Sequence, residues 1–189
     1  MTRVVAGRFR GRRLAVPPSG TRPTSDMARE AVFSTLTSLL GELTGKRFLD
    51  LYAGSGAVGI EAWSRGAAVT LIESAPKAVA AIRANIAQLG EPADDVHVVH
   101  GKAETMAADL ASSTFDVVFA DPPYDLPSGR LGEVIAALRP ALAAGGVVVV
   151  ERSARDEWAW PEGVEAIRER RYGDAAVWYG RVTDAAEDS

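Results

Sequence analysis

Phe48 to Gly59 reads F-L-D-L-Y-A-G-S-G-A-V-G, and this stretch decides the fold. The apolar run Phe48 to Tyr52 predicts a strand, and a helical pattern begins at Ala57. Between them Gly54, Gly56 and Gly59 complete a G-x-G-x-x-G spacing, which lets backbone approach a ligand where a Cβ would collide. Such a turn belongs at the carboxyl end of the first strand of a doubly wound sheet, with a nucleotide above it. Asp50, just before the turn, divides the cofactor classes. A dinucleotide would bring its pyrophosphate against this carboxylate and be repelled. A ligand carrying an ammonium and a sulfonium, as S-adenosyl-L-methionine does, would be attracted. The alternative role for Asp50 is to cap the turn or the helix.

Outward from this stretch, strands and helices alternate. Strands are expected at Ala68 to Ile72, Val96 to His100, Phe115 to Ala120 and Val147 to Val150. Helices are expected at Ala57 to Arg65, Pro76 to Leu89, Ala103 to Leu110 and Leu131 to Leu142. Near-continuous apolar strands between helices predict an α/β fold with a parallel sheet covered on both faces. Toward the end, Val164 to Tyr172 and Ala176 to Val182 flank Gly173-Asp174, a hairpin signal that closes the sheet antiparallel. Upstream, Thr24 or Ser25 caps a helix with an apolar stripe from Met27 to Leu40. Before it, Arg3 to Val16 suits a small hairpin, in which Phe9 either stacks on a base or packs inward. The expected domains are a basic hairpin arm (1–24), a catalytic domain (25–183) and an acidic frayed tail (184–189).

Ligands of open α/β sheets bind beyond the carboxyl ends of the strands, and Asp50, Glu73 and Asp121 fall there. Glu73 lies about 20 residues past the glycine turn, where a carboxylate can take both hydroxyls of a ribose. Asp121-Pro122-Pro123-Tyr124 is the more specific signal. The prolines fix the backbone direction and remove two donors. The Asp121 carboxylate and the Pro122 carbonyl are then two acceptors suited to the N–H groups of an exocyclic amine. Tyr124 supplies a flat face for a base. Glu73 serves NAD and S-adenosyl-L-methionine alike; the D-P-P-Y motif favours the latter.

The 189 residues are 47% hydrophobic, enough for one domain with a sizeable core. The absence of cysteine excludes disulfides, Cys-based zinc sites and thiol nucleophiles. His97 and His100 alternate with valines and suit a core or edge strand rather than a metal site. No apolar run reaches the ~20 residues of a membrane span, and the Arg-rich beginning lacks a signal-peptide core, so a cytoplasmic location is expected. Charge is unevenly placed. The net charge is −4, yet residues 1–24 hold six arginines and no acid. A basic arm on an acidic body is a footprint of nucleic-acid binding.

The segment Asp50 to Gly59, Glu73 and Asp121-Pro122-Pro123-Tyr124 resemble the motifs of class I amino-methyltransferases. Ala6 to Leu14 (A-G-R-F-R-G-R-R-L), Arg22-Pro23-Thr24 and Arg29 to Phe33 extend the resemblance to the bacterial 16S ribosomal RNA guanine-N2 methyltransferases, over Arg3 to Val182. The resemblance implies a Rossmann-like, seven-stranded, mostly parallel sheet with its last strand antiparallel. It implies S-adenosyl-L-methionine bound by Asp50, Tyr52, Ala53, Gly54, Gly56, Glu73 and backbone near Ala103. Asp121, Pro122 and Tyr124 would be catalytic, and Arg8, Arg10, Arg12, Arg13, Arg22 and Thr24 would bind RNA. Here His100 to Glu104 lacks the Asp or Asn with which many class I enzymes hold the adenine amine. The implied partner is 16S rRNA within a 30S assembly intermediate, met by a monomer without a metal. The rivals are a DNA adenine methyltransferase, an NAD-dependent dehydrogenase and a non-catalytic RNA-binding module.

Overall fold

The computed structural model describes residues 2–17, 25–110 and 113–183. Along the chain run β1 (Thr2–Arg3), β2 (Arg13–Leu14), α1 (Asp26–Leu40), β3 (Arg47–Asp50), α2 (Ala57–Ser64), β4 (Ala68–Glu73) and α3 (Pro76–Leu89). There follow β5 (Val96–His100), α4 (Ala103–Asp109), β6 (Phe115–Ala120), α5 (Ser128–Ala137), β7 (Leu142–Ser153), β8 (Val164–Tyr172) and β9 (Ala175–Val182). β1 and β2 pair antiparallel as a separate small sheet. The other seven strands form one sheet in the order β5-β4-β3-β6-β7-β9-β8. β4 is parallel to β3 and β5, and β7 is parallel to β6. β9 lies between β7 and β8, antiparallel to both. The expected seven-stranded Rossmann-like sheet with an antiparallel last strand is the fold formed.

Local chemistry sets the boundaries. Ser25 is the cap of α1, its Oγ accepting the Ala28 N–H at 3.1 Å. Pro76 opens α3 and Gly90, left-handed at φ 74°, closes it. β3 stops at Asp50 rather than Tyr52, because the chain turns there and the Ala53 N–H donates to the Ile72 carbonyl at 3.0 Å. The helix expected at Leu131 to Leu142 instead begins at Ser128, after Pro127, and ends at Ala137. Pro140 forces that ending: it has no N–H and its ring crowds the carbonyl four residues back, so a 3₁₀ turn, Arg139–Ala141, replaces the last turn. β7 is longer than its valine run and passes through Gly145-Gly146, with an irregular register against β6 between Phe115 and Val117.

The chain divides into two compact units, Met1–Lys102 and Ala103–Ser189. In the first, Phe33, Leu36, Phe48, Leu49, Ile60, Trp63 and Leu71 are buried core. In the second, Val117, Phe119, Leu131, Leu138, Val148 to Val150 and Tyr179 are. The basic hairpin is built into the first unit. Phe9 packs inward, 4% exposed, with its ring 4.6 Å from that of Trp63. His97 and His100 are exposed on β5, the edge strand.

Candidate active site

The glycine turn follows β3 and is braced by two carboxylates. Asp50 is buried, and its Oδ2 accepts the Gly59 N–H of α2 at 3.0 Å. Burial, with the charge of nearby Glu73 adding to it, raises the Asp50 carboxyl from 3.8 to about 7, against the lowering effect of the Gly59 hydrogen bond. Glu73, at the end of β4, accepts the Gly54 N–H at 2.8 Å on Oε2 and the Ala75 N–H at 2.7 Å on Oε1. Asp50, Gly54 and Glu73 thus come together, as their placement at adjacent strand ends predicts. Gly54 and Gly56 adopt φ of 55° and 79°, and the Gly56 N–H donates to the Ala53 carbonyl at 2.7 Å. Gly59 is required for space. A Cβ there would stand 2.6 Å from Leu71 Cδ2 and 3.3 Å from Asp50 Oδ2. Tyr52 is half-buried and Ala53 buried.

The donor set can be tested against the two cofactor classes. Asp50 is already penalised for its negative charge by burial and by Glu73. A pyrophosphate would deepen that penalty, whereas a cationic ligand would relieve it. The turn therefore fits a cationic nucleoside such as S-adenosyl-L-methionine. The segment after β5 is tied back to the same strand end: the Gly101 N–H donates to the Glu73 carbonyl at 3.0 Å, and His100 Nε2 lies 3.1 Å from the Ser74 carbonyl.

In the second unit, Ala103 is buried at the start of α4. Asp121 follows β6 and is half-buried, Pro122 is buried, and Tyr124 is 73% exposed. A Tyr ring so open to solvent offers a free face for stacking. The Leu126 N–H donates to the Pro123 carbonyl at 3.0 Å, so the D-P-P-Y segment closes into a turn directly after the strand.

The arginines expected to meet RNA are on the hairpin surface. Arg8, Arg10, Arg12 and Arg13 are exposed; Arg22 and Thr24 lie outside the described residues. Arg8 lays its guanidinium over Trp63 and Phe9, 4.8 and 4.9 Å from the ring centroids. What seats the hairpin is a buried carboxylate that sequence reasoning missed. Glu61 is fully buried on α2 and accepts the Val5 N–H at 2.7 Å and the Ala6 N–H at 2.9 Å. It also pairs with Arg65 at 2.9 Å and with buried Arg29 at 3.6 Å. Arg29 in turn donates to Thr2 Oγ1, Asp26 and the Arg3 carbonyl. Ser64 completes the seat, its Oγ donating to the Ala6 carbonyl at 2.6 Å and accepting the Phe9 N–H at 3.0 Å. The available signal was Glu61 itself, the one charged residue in a helix whose eight residues are all buried.

Among the described residues no helix is long and apolar enough to cross a membrane, and no cluster of three or more His, Asp or Glu could hold a metal ion. The sheet order, the glycine turn after β3 and the acids ending β4 and following β6 define the class I methyltransferase fold. The chain belongs to the family described as "Conserved hypothetical protein 95", which matches residues 2–181. A relative from Escherichia coli (strain K12), "Ribosomal RNA small subunit methyltransferase D", is 40% identical over 124 residues. That match covers 65% of this chain and 60% of the Escherichia coli protein. A Haemophilus influenzae protein of the same name is 29% identical over 174 residues, 90% of this chain and 89% of that protein. A solved structure of a hypothetical protein from Thermus thermophilus has a TM-score of 0.82 at 31% identity, covering 97% of this chain and 100% of that one.

Proposed function

We propose that this protein methylates the exocyclic N2 of one guanine in 16S rRNA, using S-adenosyl-L-methionine, on a partly assembled 30S particle. The observation that carries this reading is the kinship over residues 2–181 with a family that includes relatives named for small-subunit ribosomal RNA methylation. The fit of the Asp50 and Glu73 turn to a cationic nucleoside supports it independently.

When bound, S-adenosyl-L-methionine supplies an electrophilic methyl group on a sulfonium. Asp50 and the glycine turn would hold the methionine end of that cofactor and Glu73 its ribose, with backbone near Ala103 against the adenine. The Asp121 carboxylate and the Pro122 carbonyl would accept the two N–H bonds of the guanine amine. Holding those hydrogens out of the ring plane would localise the nitrogen lone pair and aim it at the methyl group that the bound cofactor would supply. The amine proton then leaves to Asp121 or to water. Tyr124 stacks the base, which must be unpaired or flipped at a cost of a few kcal/mol. Alignment of this kind contributes on the order of 7–11 kcal/mol of barrier reduction, so positioning outweighs acid–base chemistry. The protein acts as a monomer in the cytoplasm, and the hairpin arginines hold RNA phosphates.

The deciding experiment incubates the protein with methyl-labelled cofactor and either 30S particles, naked 16S rRNA or DNA, then maps the label. Label on guanine N2 in 16S rRNA is expected; label confined to DNA overturns the reading. Asp121→Ala is expected to abolish transfer, by at least about a thousandfold, while cofactor binding by calorimetry persists. Unchanged transfer by that variant would remove Asp121 from the chemistry.

A further inference from the structure

Asn85 belongs to no motif, and the proposed chemistry does not use it. It lies on α3, 1% exposed, and its carboxamide is fully engaged. Oδ1 accepts the Ala15 N–H at 2.8 Å, while Nδ2 donates to the Ala15 carbonyl at 3.0 Å and to the Ser55 carbonyl at 3.2 Å. One helical turn on, Gln88 Nε2 donates to the Arg13 carbonyl at 3.2 Å, and the Gln88 carbonyl accepts from Arg12 Nη2 at 2.6 Å. Helix α3 therefore grips the basic hairpin in and around β2, at Arg12, Arg13 and Ala15. The innermost of those grips also reaches into the glycine turn.

The peptide it reaches is the one that joins Ser55 to Gly56 within the glycine turn. On the far side of that peptide Gly56 is held at φ 79°, a conformation that the absence of a Cβ permits. The peptide N–H is held by the Ala53 carbonyl and its C=O by Asn85. A shift of Ala15 pulls on two of the three Asn85 hydrogen bonds and so turns the carboxamide that holds the third. Arg12 commits one donor to Gln88 and keeps others of its five for phosphate, so RNA contact adds to the grip rather than breaking it.

We propose that Asn85, seconded by Gln88, is a positioning residue that transmits the placement of the RNA-binding hairpin to the Ser55–Gly56 peptide of the cofactor turn, so that RNA and cofactor each tighten binding of the other. The proposal rests on the reading of this protein as an RNA methyltransferase. A ligand that fixes the arm leaves less ordering for the second ligand to complete, and linkage requires the same factor in both directions.

The test measures S-adenosylhomocysteine affinity by calorimetry with and without transcribed 16S rRNA, and RNA affinity with and without S-adenosylhomocysteine. Wild type is expected to show a coupling factor of about 5 or more in each direction. In Asn85→Ala the factor falls to within about twofold of unity, whatever the change in the separate affinities. Gln88→Ala, exposed and outside the core, is expected to lower the factor as well, and decides the matter if Asn85→Ala does not fold. A wild-type factor of one, or folded variants that keep the wild-type factor, overturns the proposal. Failure of wild type to bind S-adenosylhomocysteine, or to bind 16S rRNA either naked or within a 30S assembly intermediate, would instead overturn the functional reading, a result distinct from two ligands that bind independently.

Discussion

Beneath the glycine turn, Asp50 shares its carboxyl between a helix amide and the cofactor proposed to lie above, and its acidity connects the two. In the folded protein its pKa is about 7 against 3.8 unperturbed, so between those values the native state carries a proton that the unfolded chain has lost. The corresponding stability is fully present below about pH 4 and is lost as pH rises through about 7. The urea midpoint is expected to fall over that window, and Asp50→Asn to abolish the fall. A cationic ligand favours the ionised carboxylate, so its binding near pH 6 expels a proton. Binding heats measured at pH 6 in two buffers of different ionisation enthalpy should therefore differ, and should converge by pH 8.5. Asp50→Asn should weaken S-adenosyl-L-methionine binding at pH 8 by at least about tenfold, roughly 1.4 kcal/mol; equal affinity would remove Asp50 from the cofactor side.

Among the elements, the hairpin and α2 show where sequence reading succeeds and where it stops. Short-range punctuation was legible: Ser25 caps α1, Pro76 and Gly90 bracket α3, and Gly173-Asp174 turns β8 into β9. These effects act within a few residues. Glu61 was not legible, because its partners Val5 and Ala6 lie 56 and 55 residues away. Nor does α2 present a polar stripe from which its packing could be read, since every residue on it is buried. The Arg29 to Phe33 segment was visible as a resemblance, but the physical task of Arg29, joining β1 to Glu61, emerges only in three dimensions. Removing Glu61 leaves the half-buried Val5 and Ala6 amides without their acceptor and takes a buried carboxylate from Arg29 and Arg65, which retain Asp26 and Glu30. Glu61→Ala is expected to cost about 3–5 kcal/mol in urea unfolding. Gly7→Ala attacks the same seat from the other side: φ is +79° and the added Cβ would collide with the Ser64 carbonyl. Its expected signature is a change in Trp63 fluorescence as Phe9 and Arg8 leave that ring.

For the whole molecule, the uneven charge makes a quantitative demand. If Arg8, Arg10, Arg12 and Arg13 all engage phosphates, log affinity for 16S rRNA should fall against log salt with a slope of roughly −3 at ~0.7 per contact. Salt-independent binding would remove the hairpin from RNA recognition. The alternation that announced the sheet was legible because β4, β6 and the valine run of β7 are apolar nearly throughout, and the D-P-P-Y and glycine motifs were legible because they sit at strand ends. The strand order was not written in any local pattern. It places the last strand, β9, between β7 and β8 rather than at the edge. That insertion has a consequence during synthesis. While the ribosome is still making Ala175 to Val182, β8 has already been synthesised but lacks the neighbour on which it will pair. The second unit thus cannot complete the pairing of its strands until Val182 has been translated, whereas every strand of the first unit has been made once His100 has been added.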